Sequence, residues 1–305
     1  MATKTHTYSR SFWIVFVLFT LIFLPACKPK ESASKPKESA SKPFPDLKEW
    51  DLLIISDSSN YGVGQYYAKL IEADMNVKVN LHDCFVGGMS IGSALQTLQS
   101  GKSLYPELGT VNCQTPWSDH AWSDLINEAE VMVLFGNPLD SYPPDGSWNI
   151  PEDPNSCVMG GYEGWYLYPE FETYKDTMLK SCAPEKWATY KADLGAVIDE
   201  IDKIREGRPL ILRMTDFYIP VHSDWLKNGV DEVCTTYIGY LAEAIRQVAE
   251  EHGVPVADTL VGLNGKDYMS EIPAEYLMDG IHPSDAGAQF IATLLQKTGY
   301  EYAGK

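Results

Sequence analysis

Late in the chain Asp279, Gly280, Ile281, His282 and Pro283 follow one another. An Asp three residues before a His, in a tight turn containing glycine, can set its carboxylate against the imidazole Nδ1. That contact fixes the tautomer, stabilises the imidazolium and leaves Nε2 free to act as a base. Alone, the same residues also suit a helix-capping Asp beside a surface His. Far upstream, Ser56-Asp57-Ser58-Ser59-Asn60-Tyr61-Gly62 follows an apolar run. It puts a hydroxyl near the start of a helix, where backbone amides stabilise negative charge, although Ser, Asp and Asn are also ordinary helix caps. Taken together, the two segments supply a hydroxyl nucleophile, a base and a carboxylate to orient the base. Of these, spacing alone names His282 as the base and Asp279 as its orienting carboxylate, while the hydroxyl remains one of the serines of the upstream segment. Of the remaining histidines, His6 lies in the N-terminal segment, His82 inside an expected strand and His252 at the end of an expected helix, while His120 and His222 lack a carboxylate at matching spacing, though Asp119 adjoins His120.

The elements that must position these residues are legible as alternating apolar and amphipathic segments. Asp51–Ser56 reads as a buried strand, followed by a helix to about Asp74. Val77–Phe85 is a second strand, broken by Gly87-Gly88, and Ser90 caps a helix running to about Gly101. Glu130–Phe135 is a third strand, ending at Gly136-Asn137-Pro138. Residues 138–165 read as a long loop, and helices are expected at about 167–182 and 184–206. Pro209–Met214 is a fourth strand, a helix covers about 231–252, and Val254–Ala257 is a fifth strand. A last helix runs from Pro283 or Ser284 to about Lys297. Strands alternating with helices imply a mainly parallel sheet covered on both faces, and strands apolar throughout fit that burial. In such sheets the ligand site lies beyond the carboxyl ends of the strands, where Ser58, Gly87, Gly88, Asn137, Asp216 and Asp258 fall. Asp216, Tyr218 and Asp258 either line a pocket or cap helices.

An early strand ending in D-S-x-x-x-G, followed far downstream by D-x-x-H-P and a last helix, resembles the SGNH (GDSL-like) hydrolase family. Ser58 matches that family's nucleophile, Gly87 or Gly88 its second block, Gly136-Asn137-Pro138 its G-x-N-D block, and Asp279 to Pro283 its last. The matches span about residues 51–297. Ser56 stands where the family has Gly, and the third block is one residue shorter and lacks its Asp. The resemblance implies a three-layer α/β/α fold with a mainly parallel, five-stranded, flavodoxin-like sheet, and ester hydrolysis without metal or cofactor. It also implies an oxyanion hole made by the Ser58 backbone N–H, a Gly87 or Gly88 N–H and the Asn137 side chain.

The ends and the composition narrow the setting. Lys4 and Arg10 precede an uncharged run from Ser11 to Ala26, short for a spanning helix, which closes on Leu24-Pro25-Ala26-Cys27. This resembles a bacterial lipoprotein signal, with residues 1–26 removed and Cys27 acylated. Residues 28–43, KPKESASKPKESASKP, repeat a heptad with nothing apolar to bury. With Cys27 they form a 27–43 lipidated spacer, leaving 44–305 as the hydrolase domain. The location implied is extracytoplasmic, lipid-anchored to a bacterial cell membrane. The formal net charge of −18 argues against nucleic-acid partners. Export permits disulfides among Cys84, Cys113, Cys157, Cys182 and Cys234, and Cys157–Cys182 is the pairing expected between the long loop and the helix after it. Tyr142, Trp148, Tyr162, Trp165, Tyr166 and Tyr168 in or beside that loop either stack on sugars or pack the loop. The expected activity is hydrolysis of a small acyl ester, an acetylated glycan being one candidate. O-acyl transfer by the same residues and a non-catalytic surface-binding lipoprotein are the alternatives.

Overall fold

A computed structural model describes residues 44, 46–101, 112–113, 121–138, 186–220, 226 and 231–302. Strands β1 (Glu49–Ser56), β2 (Lys78–Phe85), β3 (Asn112–Cys113), β4 (Val131–Leu134), β5 (Ile211–Thr215) and β6 (Val256–Ala257) form one sheet in the order β3-β2-β1-β4-β5-β6. Five of them are parallel, and β3 joins β2 antiparallel at the edge. The parallel part has the flavodoxin-like order, with its reversal point between β1 and β4. The helices are α1 (Val63–Met75), α2 (Ile91–Ser100), α3 (Trp122–Glu128), α4 (Lys186–Arg205), α5 (Asp231–His252), α6 (Thr259–Asn264) and α7 (Asp285–Lys297).

Alternation within the apolar strands divides the core into two layers. Leu53, Ile55, Met132 and Leu134 pack with apolar residues of α2 to α5. Leu52, Ile54, Val131 and Val133 pack with Val63, Tyr67 and Ile71 of α1 and with Ile291 and Leu295 of α7. Side chains of a strand point alternately to its two faces, so a strand covered on both must be apolar throughout. Arg213 in β5 departs from that rule. It is fully buried, and its guanidinium donates to Leu212 O at 2.8 Å, Gly299 O at 2.9 Å and Glu301 O at 2.7 Å. The charge is thus spread over backbone carbonyls, and the chain beyond α7 is pinned to the sheet.

The expected fold class holds, with corrections of detail. The sheet has a sixth strand, β3, too short to leave a pattern in the sequence. The strand expected at Val254–Ala257 shortens to Val256–Ala257, because only these two residues pair with β5, opposite Met214 and Thr215. The short helices α3 and α6 were not expected. Cys84 and Cys113, directly opposed across β2 and β3, form a disulfide. The expected Cys157–Cys182 pair, Cys27, the helix at 167–182 and the loop aromatics all lie outside the described residues. Among the described residues no helix is long and apolar enough to cross a membrane.

Candidate active site

The loop from Leu277 to Ser284 is built largely from its own atoms. Gly280 adopts φ +87°, a conformation that suits glycine. Met278 N–H donates to His282 O at 2.9 Å, closing the loop. Asp279 Oδ1 accepts from the Ile281 and His282 amides at 3.0 and 2.8 Å, and Asp279 Oδ2 lies 2.6 Å from His282 Nδ1. Partial burial acts to raise the Asp279 carboxyl pKa. The bonds from the His282 ring and from the two amides outweigh it, and the net shift is downward. With Nδ1–H donated to Asp279, the Nε2 lone pair faces Ser58 Oγ at 3.0 Å. Two anchors fix the loop to the body. Tyr218, buried beneath it, donates its hydroxyl to Ile281 O at 2.8 Å. Ser284 caps α7, and its N–H donates to Tyr276 O at 2.9 Å. Gly287 is required there, because a Cβ would come within 2.1 Å of that same carbonyl oxygen.

Ser58 opens a short 3-10 helix, Ser58–Asn60, two residues past the end of β1. Asp57 caps it, accepting from Ser59 N at 2.8 Å and Ser59 Oγ at 2.5 Å. Its other carboxylate oxygen accepts a close hydrogen bond from Asn137 Nδ2. Asp57 is almost wholly buried, and that burial pushes its carboxyl pKa up to about 6, against the opposing pull of the Ser59 bonds, His282 and Asn137. Asn60 is buried too and donates to Thr215 Oγ1 at 2.9 Å, tying the turn to the end of β5.

Ser56 lies opposite Phe85, and Ile55 opposite Leu134, so β1, β2 and β4 end together. Beyond Phe85, Val86–Met89 forms a turn closed by Met89 N–H to Val86 O at 3.0 Å, with Gly88 at φ +63°. A positive φ at the third position of such a turn calls for glycine. Beyond β4, Asn137 N donates to Met89 O at 2.9 Å and Asn137 O accepts from Ile91 N at 2.8 Å. That pairing brings Gly136 against α2, where a Cβ would stand 3.0 Å from Ile91 N. The backbone N–H groups of Ser58, Gly87 and Gly88 make no hydrogen bond among the described residues. One hydrogen of the Asn137 amide is taken by Asp57, which leaves the second for another acceptor.

All of Ser58, His282, Asp279, Gly87, Gly88 and Asn137 thus lie in the segments that follow the carboxyl ends of the strands or in the loop against them. The residue that sequence reasoning passed over as a mere cap is Asp57. Its position directly before Ser58 was visible, but its burial and its bond to Asn137 depend on strand pairing. Asp216 and Asp258 serve the frame. Asp216 accepts from Thr259 N at 2.6 Å and Leu260 N at 3.0 Å, Asp258 caps α6 through Val261 N, and Arg246 bridges both carboxylates at 2.6 and 2.7 Å. Burial pushes the Asp216 carboxyl up even with Arg246 beside it. His82 lies within β2, 3.2 Å from Asp51. His252 lines a cleft with Arg205, Arg208 and Tyr302 at the amino ends of β5 and β6, the end of the sheet away from Ser58. Among the described residues no cluster of three or more His, Cys, Asp or Glu side chains could hold a metal ion.

No protein-family model matches the sequence, and no curated protein matches it. Solved structures are similar to this chain. The lipase Lip_vut3 from a goat rumen metagenome superposes with a TM-score of 0.55 at 18% identity, covering 82% of this chain and 98% of its own. A DUF4886 family protein from Bacteroides uniformis gives a TM-score of 0.48 at 14% identity, covering 82% of each chain. An acetylxylan esterase from Geobacillus stearothermophilus gives 0.46 at 14% identity, covering 83% of this chain and 95% of its own. The first likeness supports the three-layer fold, and the other two, at their scores, carry no argument.

Proposed function

We propose that the protein is a serine esterase that hydrolyses a small acyl ester, with Ser58 as nucleophile, His282 as base and Asp279 as its orienting carboxylate. The observation that carries this reading is the continuous chain from Asp279 Oδ2 through the His282 ring to Ser58 Oγ, at 2.6 and 3.0 Å. His282 Nε2 takes the Ser58 proton as Oγ bonds to the ester carbonyl carbon. The carbonyl oxygen becomes an oxyanion, held by the N–H groups of Ser58 and of Gly87 or Gly88 and by the second Asn137 amide hydrogen. His282 then gives its proton to the departing alcohol as the C–O bond breaks. Water, deprotonated by His282, attacks the acyl-serine, and the acid leaves as Ser58 regains its proton. Asp57 acts through Asn137, accepting from its amide nitrogen and so fixing which way the amide faces.

The reading extends to cellular location: a lipoprotein tethered through Cys27 outside the cytoplasm. The basic, apolar and cysteine-ended N-terminus supports it, and so does the Cys84–Cys113 bond, since disulfides persist in oxidising compartments. Two experiments test these proposals. Wild type should release acid from a panel of short-chain esters and Ser58→Ala should not; equal release by both would end the esterase reading. Cys27→Ser should shift the protein from the membrane to the soluble fraction, and unchanged fractionation would end the anchor.

A further inference from the structure

Tyr61 is the exposed aromatic nearest in sequence to Ser58. Its N–H donates to Ser58 O at 3.1 Å, closing the 3-10 turn that carries the nucleophile. Residues three apart in such a turn eclipse one another, so Tyr61 leaves the chain on the side from which Ser58 does. Its ring meets Phe85 edge to face, with centroids 5.4 Å apart and an interplanar angle of 84°. Phe85 ends β2 immediately before the Gly87-Gly88 turn, so the Tyr61 ring is braced between two segments of the site. The residue is nevertheless 42% exposed, and its hydroxyl bonds nothing among the described residues.

We infer that Tyr61 is a platform for the sugar ring of an acylated glycan, seating the alcohol side of the ester while its acyl carbon lies at Ser58. The inference rests on the esterase reading and adds the substrate class to it. A sugar ring offers C–H faces that pack on an aromatic ring and hydroxyls that bond its phenol, and a tyrosine held by its edge presents both. An anionic alcohol fits less well. Residues 271–285, which include the His282 loop, carry Glu271, Glu275, Asp279 and Asp285 and no Lys or Arg. A neutral, hydroxyl-rich group suits both the platform and the acidic composition of the segment that carries His282.

The test compares wild type, Tyr61→Phe and Tyr61→Ala on two acetates, a mono-O-acetylated methyl hexopyranoside and ethyl acetate, with melting curves to confirm folding. Tyr61→Ala should lower kcat/KM on the glycoside about tenfold, mainly through KM, and leave ethyl acetate within about twofold. Tyr61→Phe, which keeps the ring, should fall between. An equal loss on both esters would mean that Tyr61 only shapes the Ser58 turn, and no loss on either would remove the platform. A loss seen instead with ethyl esters of long acyl chains would make the shelf an acyl groove and overturn the proposal. Saturation-transfer NMR with the deacylated methyl hexopyranoside reads the platform without turnover. Wild type should show transfer to the sugar ring protons and Tyr61→Ala should not, even if neither ester is cleaved and the esterase reading fails by itself. Equal transfer in both proteins, or none in wild type, would overturn the platform.

Discussion

Residues 277–284 and residues 57–60 meet at Ser58 but are held in contrasting ways. The first segment is a half-exposed loop whose bonds run mostly among its own atoms, Asp279 accepting from the His282 ring and from the two amides that follow it. The second is buried except at Ser58, and its polar groups reach far along the chain, Asp57 to Asn137 and Asn60 to Thr215. The two carboxylates respond accordingly. Local donors hold Asp279 below the usual range, whereas burial pushes Asp57 up to about 6 despite its three donors. A carboxylate that orients a base can stand in partial solvent, because its geometry is fixed by neighbours in sequence. One that orients a hydrogen-bond donor across the sheet must be buried with it, and the fold bears the desolvation cost.

The largest expected effect breaks both segments at their meeting point. Ser58→Ala and His282→Ala should each lower kcat by about 10⁴-fold or more, and the double variant should be little worse than either, because the residues act as a unit. Steady-state kinetics on one activated ester with all three variants decides this. Next comes the buried segment. Asn137→Ala should lower kcat by roughly 10²–10³ with little change in KM. Asp57→Asn should lower it by less, and adding it to Asn137→Ala should change little further, because Asp57 works through that amide. Additive losses would separate the two residues.

How much of this was legible follows from the same contrast. The Asp279–His282 pair is separated by three residues, so spacing alone exposes it. The sheet was legible because strands covered on both faces leave apolar runs bounded by Gly, Pro and Asn. Asn137 could be singled out from Gly136 and Pro138, but its bond to Asp57 is fixed only when β1 and β4 pair. Arg213 hides inside an apolar strand, since two of its three carbonyl partners lie more than 80 residues later. The Cys84–Cys113 bond depends on a two-residue edge strand with no pattern of its own, and cysteine pairing is not written in spacing.

A smaller effect sharpens the contrast between buried and exposed carboxylates. Asp83 in β2 is buried like Asp57, and desolvation pushes its carboxyl up to about 6. Between the ordinary Asp pKa and about 6, the folded protein therefore holds protons that the unfolded chain releases. Stability falls as pH rises through that window and stays lowered above it. Asp83→Asn should accordingly raise stability at pH 8 by on the order of 1–3 kcal/mol, with the gain vanishing near pH 4. Asp279, held low, works with the opposite sign. Its contribution is present above the ordinary Asp pKa and is lost as pH falls through its folded value, so Asp279→Asn should give no gain at pH 8. Urea unfolding of the three proteins at pH 4 and pH 8 reads these differences. The smallest effect concerns the brace under the loop. Tyr218→Phe removes the bond to Ile281 O and should cost about 1 kcal/mol of stability, with kcat lowered only severalfold. A loss comparable to that of Asn137→Ala would mean that the loop depends on the body far more than its local bonds indicate.

The central claim is that Ser58 is a hydroxyl activated by His282. It is tested most directly by treating the protein with a fluorophosphonate and locating the adduct by peptide mass mapping. The account predicts one adduct per chain, on Ser58, formed rapidly in wild type, absent in Ser58→Ala and slowed by orders of magnitude in His282→Ala. An adduct on another residue, or labelling of His282→Ala at the wild-type rate, would contradict it.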